Sequence, residues 1–244
     1  MKIDQEKCIG CERCHPYCPV GAITTVEWEA ELVSEINQVE CVECGTCHER
    51  SGICTVDAIY MPELKWPRSI REPFSNPNAK HPTNNSQGRG TEEMKTNDVT
   101  GQFVLGMAGV IIELGRPGIG TSFRDIQTVS MALAKLGAEF ENNNPVANLM
   151  VDLDNGIFNE EVLDEKVLSA ILVFKVSNDR LKKILLEIKK VSFLLDTVFS
   201  LSLVSRVDSD FSIPVIPIAQ EAGFSSRPNN KTNVGLGKAL LEEV

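Results

Sequence analysis

Eight cysteines fall within the first 54 residues of this 244-residue chain, and none in the remainder. They form two runs, Cys8-x2-Cys11-x2-Cys14-x3-Cys18-Pro19 and Cys41-x2-Cys44-x2-Cys47-x6-Cys54. Three thiolates spaced by two residues can wrap one iron–sulfur cube, and the fourth of each run reaches across to the other cube. Zinc also takes four thiolates, but zinc motifs supply them as pairs rather than as such triplets. A disulfide framework belongs to small secreted domains. The chain opens Met1-Lys2-Ile3-Asp4, without a charged-then-apolar leader. The spacing therefore points to electron chemistry at iron in a reducing cytoplasm, in an anaerobe because oxygen attacks exposed cubes.

The first run, with its closing proline, resembles that of the bacterial-type dicluster ferredoxins, which carry two [4Fe–4S] clusters. The resemblance covers about residues 1–62. It implies that Cys8, Cys11, Cys14 and distant Cys54 hold one cluster, and Cys41, Cys44, Cys47 and Cys18 the other. The second run departs from the family pattern. Six residues, His48-Glu49-Arg50-Ser51-Gly52-Ile53, separate its last two cysteines, and Thr55 stands where proline is usual.

Charge sharpens the expectation about partners. Residues 1–62 carry 11 acidic and 4 basic side chains, within a net charge of −10 for the whole chain. Nucleic-acid binders need a basic footprint, so that class is excluded. An acidic surface instead steers toward a basic patch on a redox partner. No apolar run approaches the roughly 18 residues of a membrane span.

These residues must be positioned by the rest of the chain. Two matched segments, Cys18-Pro19-Val20-Gly21-Ala22-Ile23 and Cys54-Thr55-Val56-Asp57-Ala58-Ile59, follow the two runs as pseudo-repeats. Between them, residues 24–36 alternate as a hairpin does. Residues 63–102 read as a Pro- and Asn-rich linker or arm, with a charge-dense stretch at 89–95. Residues 103–208 give strand 103–114, helix 122–136, strand 146–151, a helical turn at 160–166, strand 168–176, helix 179–190 and strand 192–204. Ser122-x-x-Asp125 starts the first helix as a capping box and Gly137 ends it. The expected class is thus α+β: a small dicluster ferredoxin domain (1–62) followed by a βαββαβ, ferredoxin-like sandwich that looks like ACT-type domains in topology. Residues 209–244 read as irregular, with 213–217 extended and a final helix opening at 235–238.

Further chemistry is confined to weaker signals. The loop holding Gly115, Arg116, Gly118, Gly120 and Thr121 precedes a helix N-terminus and could take a small anionic effector, or could be a tight turn. Arg124 could add a second cation there. His15 and His48 sit beside cluster cysteines, and no catalytic triad or HExxH pattern occurs. The reading is low-potential electron transfer, as donor or subunit of a larger oxidoreductase. The C-terminal domain would dock a partner, sense a ligand or form a homodimer. An iron–sulfur enzyme or redox-responsive regulator is the alternative.

Overall fold

The computed structural model describes residues 1–81, 103–116 and 118–225. The charge-dense stretch at 89–95 and the expected helix at 235–238 lie outside these residues. The N-terminal segment is built from β1 (Lys2–Ile3), β2 (Ile23–Trp28), β3 (Glu31–Ile36) and β4 (Ile59–Tyr60). Strands β2 and β3 form an antiparallel hairpin closed by Glu29 and Ala30. Both turn residues have positive φ, 48° and 66°, as a tight primed turn demands. Strands β1 and β4 pair antiparallel, and the bond from Asp4 N–H to the Ala58 carbonyl (2.8 Å) continues that ladder.

The two cysteine runs fold on one repeated backbone plan. Left-handed residues recur at matched positions: Gly10 and Glu43, Glu12 and Gly45, Gly21 and Asp57. Three of the six are not glycine, so the turn geometry is held against the steric preference of an L-residue. The difference between the runs lies after the third cysteine. Cys14 is followed by a 3-10 turn, His15–Tyr17, whereas Cys47 lies inside a wider π turn, Thr46–Arg50. The wider turn takes up part of the longer spacer before Cys54.

Regular structure enters the segment expected to be a linker. A 3-10 turn at Arg68–Ile70 runs into α1 (Arg71–Ser75). Its apolar side chains, Ile70 and Phe74, join the core of the C-terminal body. The Phe74 ring meets Phe123 edge-on at 5.4 Å, and Ser75 Oγ accepts from Leu168 N–H at 2.8 Å. Tertiary burial, not local periodicity, orders this strap.

The C-terminal body comprises β5 (Met107–Leu114), β6 (Thr121–Ser122), α2 (Phe123–Ala134), β7 (Glu139–Phe140), β8 (Met150–Asp152), β9 (Ile157–Phe158), β10 (Lys166–Val167), β11 (Ala170–Ser177), α3 (Asn178–Ser192), β12 (Phe199–Ser205) and α4 (Val215–Glu221). Its main sheet is antiparallel with order β12-β5-β11-β7. Both long helices present Ile126, Val129, Leu133, Leu181, Ile184 and Ile188 to one core with Val110, Ile112, Leu172 and Phe174. The capping box is made: Ser122 Oγ accepts from Asp125 N–H, and the Asp125 carboxylate accepts from Ser122 N–H.

Three expected elements differ. The strand read at 146–151 is a 3-10 turn (Ala147–Leu149) and then β8, which pairs only with β9; the sheet position falls to the two-residue β7. Residues 192–198 close α3 and turn, and β12 begins only at Phe199. Residues 213–217, read as extended, enter α4, with Pro214 as N-cap and Pro217 in the first turn. Proline is tolerated there because the first N–H groups of a helix have no partner to lose. Among the described residues no helix is long and apolar enough to cross a membrane.

Candidate metal centre

Hairpin β2/β3 and the two cysteine loops enclose a cavity. It is lined by Cys18, Cys41, Cys44 and Cys47, with Val20, Ile23, Ile36 and Val42 among its apolar walls. The second run thus meets the last cysteine of the first. Cys41, Cys44 and Cys47 are each 7% exposed. Burial pushes the Cys47 thiol up to about 12, and the neighbouring Cys44, Cys41 and Cys18 sulfurs add to the rise. Thiolate ligands gathered in so buried a place suit a bound metal cation, which neutralises their charge.

The thiols of the first run lie nearer the surface. Cys11 is exposed, Cys8 is intermediate and Cys14 is buried. Burial raises the Cys14 thiol, opposed by a hydrogen bond with Ser34. The β1/β4 pairing brings the segment after Cys54 beside the one leading into Cys8. Among the described residues no three His, Cys, Asp or Glu side chains could hold a single metal ion. In an iron–sulfur cube each thiolate takes its own iron, so its ligands stand apart around the cube.

Backbone donors already address sulfur. Ala22 N–H points to Cys18 Sγ at 3.1 Å and Ala58 N–H to Cys54 Sγ at 3.2 Å. These are matched positions of the two pseudo-repeats. Ser34 N–H, in β3, reaches Cys8 Sγ at 3.4 Å. Such bonds favour the charged sulfur that a cluster needs. The donor set, the apolar wall and the N–H groups fit an iron–sulfur cube.

A charged network invisible to the motif reading lies behind the second run. Glu43, fully buried between Cys41 and Cys44, pairs with the Met1 ammonium and with Arg68, whose Nη2 is at 2.5 Å and Nε at 2.9 Å. Arg71 Nη1 donates to the carbonyls of Gln38, Val39 and Cys41 at 3.1, 3.0 and 2.7 Å. Its Nε donates to Glu165, in the C-terminal body. Lys166 joins Glu40 at 2.6 Å, and Trp66 Nε1 donates to Glu161 at 2.7 Å. The only sequence trace of this network is the three-residue spacing of Arg68 and Arg71, which puts both on one helix face.

The glycine loop is part of the same contact. A Cβ on Gly115 would stand 2.7 Å from the Leu168 carbonyl, and one on Gly120 would stand 3.4 Å from Val20 Cγ1. Val20 and Val42 line the cavity. Thr121 is buried, Arg116 pairs with Glu113 at 3.1 Å, and Arg124 pairs with Asp164 at 2.5 Å. His15 bonds Ser34 Oγ at 3.0 Å rather than sulfur, and His81 is buried edge-on against Phe74, away from the thiols.

Known proteins resemble the cysteine-bearing segment. The family model of the 4Fe-4S binding domain matches residues 1–24. One subunit of an ion-translocating oxidoreductase complex from Methanosarcina acetivorans is 42% identical over 52 residues, 21% of this chain and 17% of that protein. An uncharacterized ferredoxin from Methanocaldococcus jannaschii is 32% identical over 63 residues, 26% of this chain and 78% of that protein. The chain therefore spans most of the second relative and under a fifth of the first. No solved structure matches.

Proposed function

The chain belongs to the 4Fe-4S ferredoxin family, and from that premise we propose that it holds two [4Fe–4S] clusters and exchanges electrons with a redox partner protein. Cys18, Cys41, Cys44 and Cys47 hold the inner cluster, and Cys8, Cys11, Cys14 and Cys54 the outer one. The observation that carries this reading is the cavity lined by Cys18 together with all three leading thiols of the second run. The matched N–H donors from Ala22 and Ala58 support giving Cys54 the role Cys18 has.

When bound, each cluster supplies reversible one-electron chemistry at low potential. The chain's own residues do the rest. N–H groups of Ala22, Ser34 and Ala58 hold negative charge on sulfur. Ile23, Ile36, Val20 and Val42 exclude water from the inner thiols. Arg71 holds the turn that leads into Cys41.

Residues 1–62 act as the electron-carrying domain and 103–208 as a βαββαβ body of ACT-like strand order that walls off the inner thiols. In its glycine loop Gly115 and Gly120 are held by close packing, Gly120 near Val20 and Val42, while Gly118 faces open space. The partner is the redox component of a larger oxidoreductase, in a reducing cytoplasm where thiols persist. Anaerobic purification followed by metal analysis tests this. About eight irons and no zinc per chain are expected from two four-iron clusters. About four irons would overturn the two-cluster reading, and zinc would overturn the redox function.

A further inference from the structure

The two thiol sets differ in what covers them, and the difference locates a docking face. The inner side is faced by Gly120 near Val20 and Val42, by Arg71 on the carbonyls of Gln38, Val39 and Cys41, and by Lys166 on Glu40. Among the described residues the outer side is open. Cys11 is exposed, and beside it Ile9 and Leu32 stand 63% and 66% exposed. The Gly10 backbone runs so close to β3 that a Cβ there would stand 2.0 Å from the Leu32 carbonyl, which places Ile9 and Cys11, on either side of Gly10, next to Leu32 along the chain path.

Acid surrounds this apolar centre. Glu12 is tied to the hairpin through Thr25, Glu27 lies directly opposite Leu32 across β2/β3, and Glu31 precedes Leu32. All three are exposed. Lys7, one turn back along the first run, is paired with Asp4 at 3.6 Å. An apolar centre with a charged rim is the anatomy of a protein–protein contact rather than of a bare solvated surface.

We propose that Ile9, Cys11 and Leu32, rimmed by Glu12, Glu27 and Glu31, form the docking face for a redox protein with an apolar contact and a basic rim. The electron then enters and leaves through the outer thiol set. The inference rests on the two-cluster reading above and adds to it which cluster meets the partner.

The test uses the full chain, purified anaerobically, checked for iron and reduced with dithionite. Oxidised cytochrome c, a cationic haem protein, is the probe. One electron leaves the protein and converts each ferric haem to ferrous, and stopped-flow absorbance reads the rate. Leu32→Lys and Glu31→Lys should each slow it by about tenfold or more and flatten its salt dependence, since steering by complementary charge accounts for factors of that size. Reduction of a neutral quinone and the iron content should not change. Asp154→Lys, on the turn between β8 and β9, should leave the cytochrome rate as it is.

Unchanged cytochrome rates in both rim variants would overturn the proposal. So would equal slowing by Asp154→Lys, or loss of the quinone reaction alongside the cytochrome reaction. Failure of the two-cluster reading is separately visible, as iron well below eight per chain before any variant is made; that result removes the premise and the proposal with it.

Discussion

The two cysteine runs share one backbone plan and have opposite surroundings. Each turns through left-handed residues at the same places, and each ends with an N–H four residues on that bonds the last sulfur. Yet the second run is enclosed by the strap and the glycine loop, while the first presents Cys11, Ile9 and Leu32 to solvent. Local spacing repeated a backbone geometry, and long-range packing then made the two copies inequivalent. Burial and hydrogen bonding to sulfur are the terms that tune cluster potentials. On the proposed two-cluster reading, the inequivalence bears on potential as well as on shape.

Removal of one thiol from each set tests the comparison most severely. Cys41→Ser should remove the inner cluster and leave about four irons per chain, and Cys11→Ser should remove the outer one with a similar count. The two half-loaded proteins should differ in electron paramagnetic resonance. Identical spectra and midpoint potentials would mean the surroundings do not distinguish the sets.

Next in size is the arginine that joins the halves. Arg71→Ala leaves Glu165 without its charge partner and the Val39 and Cys41 carbonyls without a donor, while Gln38 keeps its bond from Arg68. Loss of one partner of a buried pair costs about 3–5 kcal/mol, to be read by denaturant unfolding of the full chain. The potential of the inner centre should move while that of the outer centre stays. Movement of both, or of neither, would break the assignment of Arg71 to the inner side.

A pH effect comes from His81, whose ring packs on Phe74 of the strap. Burial lowers the His81 imidazole below its ordinary 6.5. The unfolded chain therefore binds that proton before the folded chain does. Stability contributed by the neutral ring is fully present above the unfolded value and is lost as pH falls from there through the folded value. His81→Phe should weaken the slope of melting temperature between pH 7 and 5 relative to the parent. An unchanged slope would separate His81 from acid sensitivity.

The smallest effect probes the shared plan. Asp57 holds the left-handed position that Gly21 fills in the other half, with φ of 53° against 64°. Asp57→Gly should stabilise by about 0.5–1 kcal/mol, and Gly21→Asp should cost a similar amount. Calorimetry on both variants checks the equivalence.

Legibility followed the range of the forces. The helices read at 122–136 and 179–190 appear as Phe123–Ala134 and Asn178–Ser192, because amphipathic periodicity and a capping box act within a few turns. The strand read at 146–151 failed because an apolar run does not say which sheet it joins, and the pairing of β11 selected the short β7. The strap at 68–75 was illegible because its helix has only five residues and is held by Phe74 and Ile70 in a distant core. Glu43 carries no local signal of its role, yet it is fully buried and doubly paired.

By itself, the order of amino acids determined the kind of chemistry, since thiolate triplets at two-residue spacing suit iron–sulfur cubes and little else. It also determined the pseudo-repeat and the amphipathic helices, which depend on residues close in the chain. Only the tertiary structure decided which thiols are covered, that Arg71 and Gly120 are what cover them, and that Ile9 and Leu32 remain open beside Cys11. Those outcomes depend on contacts between residues up to about a hundred positions apart, as between Gly120 and Val20 or Arg71 and Glu165. No local pattern encodes such pairings, because they arise from the burial of whole faces rather than from the spacing of neighbours.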